Sequence, residues 1–333
     1  MLTILRWQLL LPLSIVCIIT PQLASAANVV CLEKWGTVVP TAPVDIKEDP
    51  AGYVSGDRVL VISDELAKFW PSGHRPDVES CYVGLLAGNI EKGDYDRFKA
   101  FLGKHYQHMW AIHLVSRGGD VGEAIKIGRL LRKYLLHAEA PMMMAENDFV
   151  ALGYPPAYDR PLCKGQGCIC ASSCALIWFG AIERGGAVGL HRPKISDPQF
   201  GALPPDQASK RYKDVLQEIT RYLEEVETPR SLIEAMIATA SSDIRWIEAP
   251  PNGSGVLNRP PSHTEWINAN CDPLSAEDYA ALSKLSQRQY QEQRNRQINA
   301  VTAADEALRQ KQKKRTICRS VLEFSQRDRM SPP

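Results

Sequence analysis

The sequence predicts an α/β protein whose core is a parallel sheet covered by helices. Short apolar runs with the length of strands alternate with longer stretches whose apolar residues recur at helical spacing. Glycine-containing turns follow two of the strand-like runs, as is typical of strand–turn–helix units with parallel strands. The chain has 333 residues and the composition of an ordinary globular protein, so it is long enough to bury a full core.

Residues 1–26 have the pattern of a secretory signal peptide. A positive residue, Arg6, precedes the apolar run Leu9–Ile19, and small residues up to Ala26 follow it. This order predicts cleavage after Ala26 and export to the periplasm or the medium. No stretch reaches the roughly 20 apolar residues that a membrane span needs, so we expect no stable span after cleavage. An uncleaved N-terminal anchor is the alternative.

The region after the signal peptide, residues 27–80, is rich in Pro, Gly and Asp. We expect an irregular N-terminal segment there, with one strand-like run at Arg58–Ile62. The regular core is predicted over residues 81–248.

The first half of the core reads as a strand–helix–strand–helix unit. Strands are predicted at Tyr82–Leu86 and Trp110–Val115, and a helix with one apolar side at Tyr95–Leu102. The turn Ser116–Gly119 leads into a helix that begins at Asp120, with acidic residues first and basic residues last, an order that suits the helix dipole. Parallel pairing of the two strands follows.

The second half of the core contains a helix of a different kind. Ala175–Ala181 is apolar all round, which is typical of a helix buried at the centre of a domain. A short strand is predicted at Ala187–Leu190. Two further helices are predicted at Asp206–Glu227, which is strongly amphipathic, and at Arg230–Thr239.

The C-terminal part differs from the core in composition. Residues 249–270 are rich in Pro and Gly and are predicted to be a linker. Residues 271–333 are predicted to be a helical extension, in which Ser275–Asp278 has the pattern of a capping box. The polar helix that follows is expected to run to about Lys314.

Eight cysteines remain after removal of the signal peptide, and export favours their oxidation. An even number fits four disulfides, but about 105 pairings are possible. One is expected between Cys271 and Cys318, tying down the C-terminal helix. A metal site at Cys168, Cys170 and Cys174 is the alternative for part of the set, although their spacing differs from the Cys-x-x-Cys of common zinc sites. The eight are Cys31, Cys81, Cys163, Cys168, Cys170, Cys174, Cys271 and Cys318.

Four motifs occur in order along the core, with the expected elements between them: Gly88-Asn89-Ile90 with Gly93-Asp94, Leu114–Gly119, Cys170–Ala175 and Gly189-Leu190-His191. Over roughly residues 81–248 the sequence resembles the Clp protease proteolytic subunit and its crotonase-fold relatives, most closely exported Clp-like proteins. The resemblance implies a Clp/crotonase-like repeated β-β-α core with a parallel sheet, and a serine peptidase that needs no cofactor or metal.

The resemblance also implies the reacting groups. Ser172 matches the family's nucleophile and His191 its general base, since imidazole titrates near neutrality. Ser173 follows the nucleophile, and its amide, with the backbone of Gly118, is expected to form the oxyanion hole. Ser173 itself is the alternative nucleophile, and both serines could instead be helix caps.

A third group should orient the imidazole. The family places an aspartate after the helical hairpin, where this chain has Asp243, and the local match there is loose. A plain helix-terminal aspartate is the competing interpretation. Glu248 and Asp214 are the alternatives for the catalytic role.

Two cysteine pairs lie close to the serines. Cys170 and Cys174 bracket them in a pattern similar to that of exported Clp-like proteins, which implies a disulfide that clamps the nucleophile turn. Cys163 with Cys168 would be a second local pair.

The function expected from these features is an exported serine peptidase acting on peptides or unfolded polypeptide. A Clp-like fold without activity, serving as a binding or assembly module, is the alternative. A lysine base, as in proteins resembling signal peptide peptidase A, would fall to Lys164 or Lys194. Homo-oligomerisation would use the helix at 206–227. The net charge of +1 gives no indication of a nucleic-acid partner.

Overall fold

A computed structural model describes residues 26–36, 47–48, 54–55, 58–61, 81–145, 148–151, 162–195, 198–249, 257–295 and 302–333. The predicted signal peptide, apart from Ala26, lies outside the described residues. Among the helices described, none is long and apolar enough to cross a membrane. The elements in chain order are β1 (Asn28–Gly36), β2 (Lys47–Glu48), β3 (Val54–Ser55), β4 (Arg58–Val61), β5 (Cys81–Ala87), α1 (Asp94–His105), β6 (Ala111–Val115), α2 (Val121–Lys133), β7 (His137–Glu139), β8 (Met142–Ala145), β9 (Asp148–Ala151), β10 (Cys163–Lys164), β11 (Cys170–Ala171), α3 (Ser173–Gly180), β12 (Glu183–Leu190), α4 (Pro198–Gly201), α5 (Pro205–Glu225), α6 (Arg230–Ala238), β13 (Arg245–Ala249), α7 (Pro261–Asn270), α8 (Ala276–Asn295) and α9 (Ala303–Asp328).

The centre of the molecule is an eight-stranded, mostly parallel sheet, as the α/β prediction requires. Its order is β11-β12-β7-β6-β5-β1-β4, with β13 paired to β12. Strands β5, β6, β7, β12 and β11 run parallel, whereas β1 and β13 are antiparallel to β5 and β12. Parallel strands end at the same edge, so the turns after β6, β11 and β12 meet there.

The predicted helices and strands of the core are present. Capping residues and apolar surfaces that are visible in the sequence explain several of them. The Asp120 side chain caps α2 by accepting a hydrogen bond from the Glu123 amide at 2.8 Å. All eight residues of α3 are buried, consistent with its apolar surface on every side. Ser275 and Asp278 exchange the two hydrogen bonds of a capping box at the start of α8.

Three flanking regions are more ordered than predicted. Within the segment expected to be irregular, β1 joins the main sheet beside β5, and Cys31 is disulfide-bonded to Cys81. The second half of the predicted linker forms α7, because Pro261 at its first position needs no helical amide partner. The C-terminal extension contains two helices, α8 and α9, and the second runs beyond Lys314 to Asp328.

The C-terminal helix packs onto the core at the amino edge of the strands. The hydroxyls of Tyr106 and Tyr134 donate to the carbonyls of Met330 and Ser331, at 3.2 and 2.8 Å. The fully buried Glu323 carboxylate contacts an imidazole at the start of β7. The extension therefore closes the sheet edge opposite to the turns after β6, β11 and β12.

Candidate functional site

Three chain segments are joined by backbone hydrogen bonds at the carboxyl edge of the sheet. The Ser116 amide, directly after β6, donates to the Ile169 carbonyl at 2.7 Å, and the Ala171 amide donates back to Ser116 at 3.0 Å. The Ser172 amide donates to the Gly189 carbonyl in β12 at 2.9 Å. These bonds hold the turn at Ser172 between the ends of β6 and β12.

Ser172 has a backbone conformation that non-glycine residues rarely adopt. Its φ is 58° and its ψ is −127°, at the junction between β11 and α3. Such a conformation costs about 1–3 kcal/mol and occurs preferentially at functional sites, including the nucleophile turn of serine hydrolases. Although Ser172 occupies the N-cap position of α3, its hydroxyl makes no capping hydrogen bond. The half-buried side chain is therefore not explained by helix capping.

The neighbouring serine is enclosed by the protein. Ser173 is 2% exposed, and within the described residues its Oγ has no hydrogen-bond partner. A substrate cannot reach this hydroxyl without opening the first turn of α3. The geometry therefore favours Ser172 over Ser173 as the reactive residue.

Gly118 lies against the serine turn. A Cβ placed on this residue would be 2.6 Å from the Cβ of Ser172 and 3.0 Å from the amide nitrogen of Ser173, and its φ is +101°. Only glycine fits there. The Gly118 amide donates to the Ser116 hydroxyl at 3.1 Å, a role for Ser116 that sequence reasoning missed. The next residue, Gly119, is exposed, and no acceptor among the described residues bonds its amide.

His191 follows β12 directly and comes two residues after Gly189, whose carbonyl accepts the Ser172 amide. Its ring is half-buried, and Nδ1 lies 2.8 Å from the carbonyl oxygen of Arg192. Because a carbonyl can only accept, Nδ1 donates this hydrogen bond, and in the neutral ring Nε2 then has the lone pair. This is the tautomer that a general base requires.

Asp243 is not hydrogen-bonded to this imidazole. Its carboxylate is exposed and accepts a hydrogen bond from the Ser242 hydroxyl at 3.3 Å. Among the described residues, the partner of His191 Nδ1 is the Arg192 carbonyl rather than a carboxylate. The catalytic role of Asp243 remains a prediction, and the backbone already supplies the orienting acceptor.

The other candidate side chains lie at exposed positions. Glu248 is exposed on β13, paired in register with Ala187, and Asp214 is exposed on α5 with its carboxylate 3.4 Å from the Lys210 ammonium. Lys164 on β10 and Lys194 after β12 are exposed as well. Neither lysine is enclosed by the protein.

The cysteines form four disulfides, including the three pairs expected from the sequence. Cys170 and Cys174, both inaccessible to solvent, link the end of β11 to the first turn of α3 on either side of Ser172. Within the described residues no group of three His, Cys, Asp or Glu side chains could hold a metal ion. The remaining pairs are Cys31–Cys81, Cys163–Cys168 and Cys271–Cys318.

Comparison with known proteins adds no family assignment. A scan against models of protein families finds no match, and a search of curated proteins finds none either. The Clp-like resemblance stays a prediction from the four motifs.

Proposed function

We propose that this protein is an exported serine peptidase that cleaves peptides or unfolded polypeptide, with Ser172 as nucleophile and His191 as general base. One observation carries the proposal: Ser172 occupies a positive-φ strand-to-helix turn that Gly118 packs against and that β12 anchors beside His191. Strained backbone of this kind concentrates at functional sites.

The chemistry follows from the groups present. Nε2 of His191 accepts the proton of the Ser172 hydroxyl as its oxygen attacks the substrate carbonyl. The amide of Ser173 at the start of α3, together with an amide of the Gly118–Gly119 turn, stabilises the oxyanion. The imidazolium then protonates the leaving amine, and water hydrolyses the acyl-enzyme by the same route. The Arg192 carbonyl holds the Nδ1 proton throughout.

A binding or assembly module without hydrolysis is the second candidate. Two observations favour it: the Gly118 amide is already bonded to Ser116, and within the described residues no carboxylate bonds His191. In that case the clamped turn at Ser172 would serve only to shape the surface.

A fluorophosphonate probe distinguishes the two candidates. We expect the folded mature protein to take up one equivalent, and peptide mapping to locate it on Ser172. The Ser172→Ala variant should not react, whereas Ser173→Ala should still react because its hydroxyl is buried. Failure of the folded wild-type protein to react would contradict the peptidase proposal and favour the module.

A further inference from the structure

We propose that the substrate of this site is a peptide segment with acidic side chains flanking the scissile bond, held by five exposed cationic residues. We call these residues the cationic rim: Arg117, Lys164, Arg192, Lys194 and Arg245. The inference rests on the proposed peptidase function and specifies its substrate class.

Three rim residues are placed by the strands that form the site. Arg117 immediately precedes Gly118, and Arg192 immediately follows His191. Arg245 opens β13, whose first residue pairs with the last residue of β12. An extended peptide lying over Ser172 therefore passes between positive charges on both sides.

The loop closed by the Cys163–Cys168 disulfide adds to the same edge. A Cβ on Gly167 would lie 3.8 Å from the guanidinium of Arg117, so this loop reaches the rim. Lys164 lies within the loop and is exposed. Lys194, two residues after Arg192, continues the positive stretch beyond β12.

Among the residues that the structure describes, no carboxylate forms an ion pair with the rim. Within residues 81–145, 162–195 and 198–249, no rim residue forms an ion pair, whereas Arg259 and Arg319 at the opposite edge both pair with Glu183. The nearby carboxylate of Asp120 is occupied as the cap of α2, and that of Asp243 accepts a neighbouring hydroxyl. Because the whole chain carries a net charge of only +1, this concentration of positive charge is local.

Each exposed ion pair contributes little to binding affinity. Several of them on one ligand nevertheless select for its charge and speed its association. Acidic side chains on a peptide are the complementary partners, since arginine binds carboxylates through paired hydrogen bonds. An acyl-transfer site needs a peptide carbonyl at Ser172, which favours an acidic polypeptide over other polyanions.

The test compares cleavage of matched fluorogenic peptides that carry Glu, Gln or Lys on both sides of one scissile bond. We expect kcat/KM to be about tenfold higher for the Glu peptide than for the Gln peptide at low salt, with the difference shrinking at high salt. Arg245→Gln should lower kcat/KM severalfold more for the Glu peptide than for the Gln peptide. Arg329→Gln, an exposed arginine at the end of α9, is the matched control and should change kcat/KM for neither peptide.

The outcomes separate this inference from the proposed function. If Ser172 is labelled but the Glu and Gln peptides are cleaved equally, the inference is wrong and the peptidase stands. Inhibition of labelling by RNA or heparin without a preference for the Glu peptide would also overturn it. Absence of labelling in the folded protein would instead remove the proposed function on which the inference rests.

Discussion

At Ser172 the backbone conformation and the burial of the side chain distinguish two residues of the same type. In the sequence, only the family resemblance favours Ser172 as the nucleophile, and the adjacent Ser173 is the alternative. Burial separates them, because the hydroxyl of Ser173 is enclosed in α3 whereas Ser172 is half-exposed at a positive φ. The sequence also could not show which carbonyl orients His191, because every residue has a carbonyl and only the folded chain shows which one is used.

Gly118→Ala tests the close approach between the β6 turn and the nucleophile. The new Cβ would meet the Cβ of Ser172 at 2.6 Å, and the positive φ of Gly118 adds strain. We expect fluorophosphonate labelling to slow by about 10²-fold, since small misplacements of reacting groups have effects of that size. Gly201→Ala is the control, because its Cβ would meet nothing within 4 Å. Equal labelling rates in the two variants would refute a role for this contact.

At the scale of the element, the Cys170–Cys174 disulfide determines how β11 enters α3. It closes a short loop around Ser172, and both sulfur atoms are buried. A bond across the turn restricts the positions available to the nucleophile more than it adds to the hydrophobic core. We therefore expect loss of the Cys170–Cys174 disulfide to slow the reaction of Ser172, whereas loss of the Cys271–Cys318 disulfide should lower the melting temperature.

Replacing both Cys170 and Cys174 with Ala should slow labelling by about tenfold or more while the protein remains folded, because the serine turn loses its clamp. The matched control replaces Cys271 and Cys318, which join α7 to α9 at the C-terminal extension. That variant should melt at a lower temperature yet be labelled at the wild-type rate once folded. The account of the clamp fails if labelling slows equally in both variants.

The elements that the sequence predicted are those with a strong local pattern. Strands β5 and β6 are buried apolar runs, α2 and α5 have apolar stripes, and α2 also has acidic residues at its start and basic residues at its end. Strand β13 was missed because Arg245–Ala249 mixes polar and apolar residues and forms a strand through pairing with β12, a contact distant in sequence. Helix α7 was read as linker because its two prolines fit a helix start as well as a loop.

At the scale of the whole molecule, the two edges of the sheet have different chemistry. The carboxyl edge bears Ser172, while the amino edge is sealed by α9 through a buried ionic cluster. There Glu323 contacts the imidazoles of His137 and His263 at 3.2 and 3.1 Å. Although burial alone would raise the pKa of Glu323, the contacts with His137 and His263 and the charge of Arg319 hold it well below its usual range. No local pattern indicates this cluster, because its members are far apart in the chain.

Glu139, the last residue of β7, makes the stability of the protein depend on pH. Burial and, secondarily, the Glu183 carboxylate raise the pKa of Glu139 from its ordinary 4.5 to about 8. The folded state therefore binds the Glu139 proton more tightly than the unfolded state does. The stabilisation that this proton provides is complete below pH 4.5 and is lost as the pH rises through 8.

Glu139→Gln should therefore raise the melting temperature at pH 8 by a few degrees relative to wild type and change it little near pH 4. Glu234→Gln on α6, at an exposed carboxylate paired with Arg230, serves as the control and should show no such difference between the two pH values. If Glu139→Gln changes the melting temperature equally at both pH values, the raised pKa of Glu139 is contradicted.

The most direct test of the central claim, that Ser172 and His191 act as a pair, uses His191→Ala with labelling and melting measured on the same preparation. His191 is half-buried and makes one hydrogen bond to a neighbouring carbonyl, so its removal should leave the melting temperature nearly unchanged. Loss of a general base should slow fluorophosphonate labelling of Ser172 by about 10²- to 10⁴-fold. A lowered melting temperature with unchanged labelling of the folded fraction would show that His191 is a structural residue and contradict the pair.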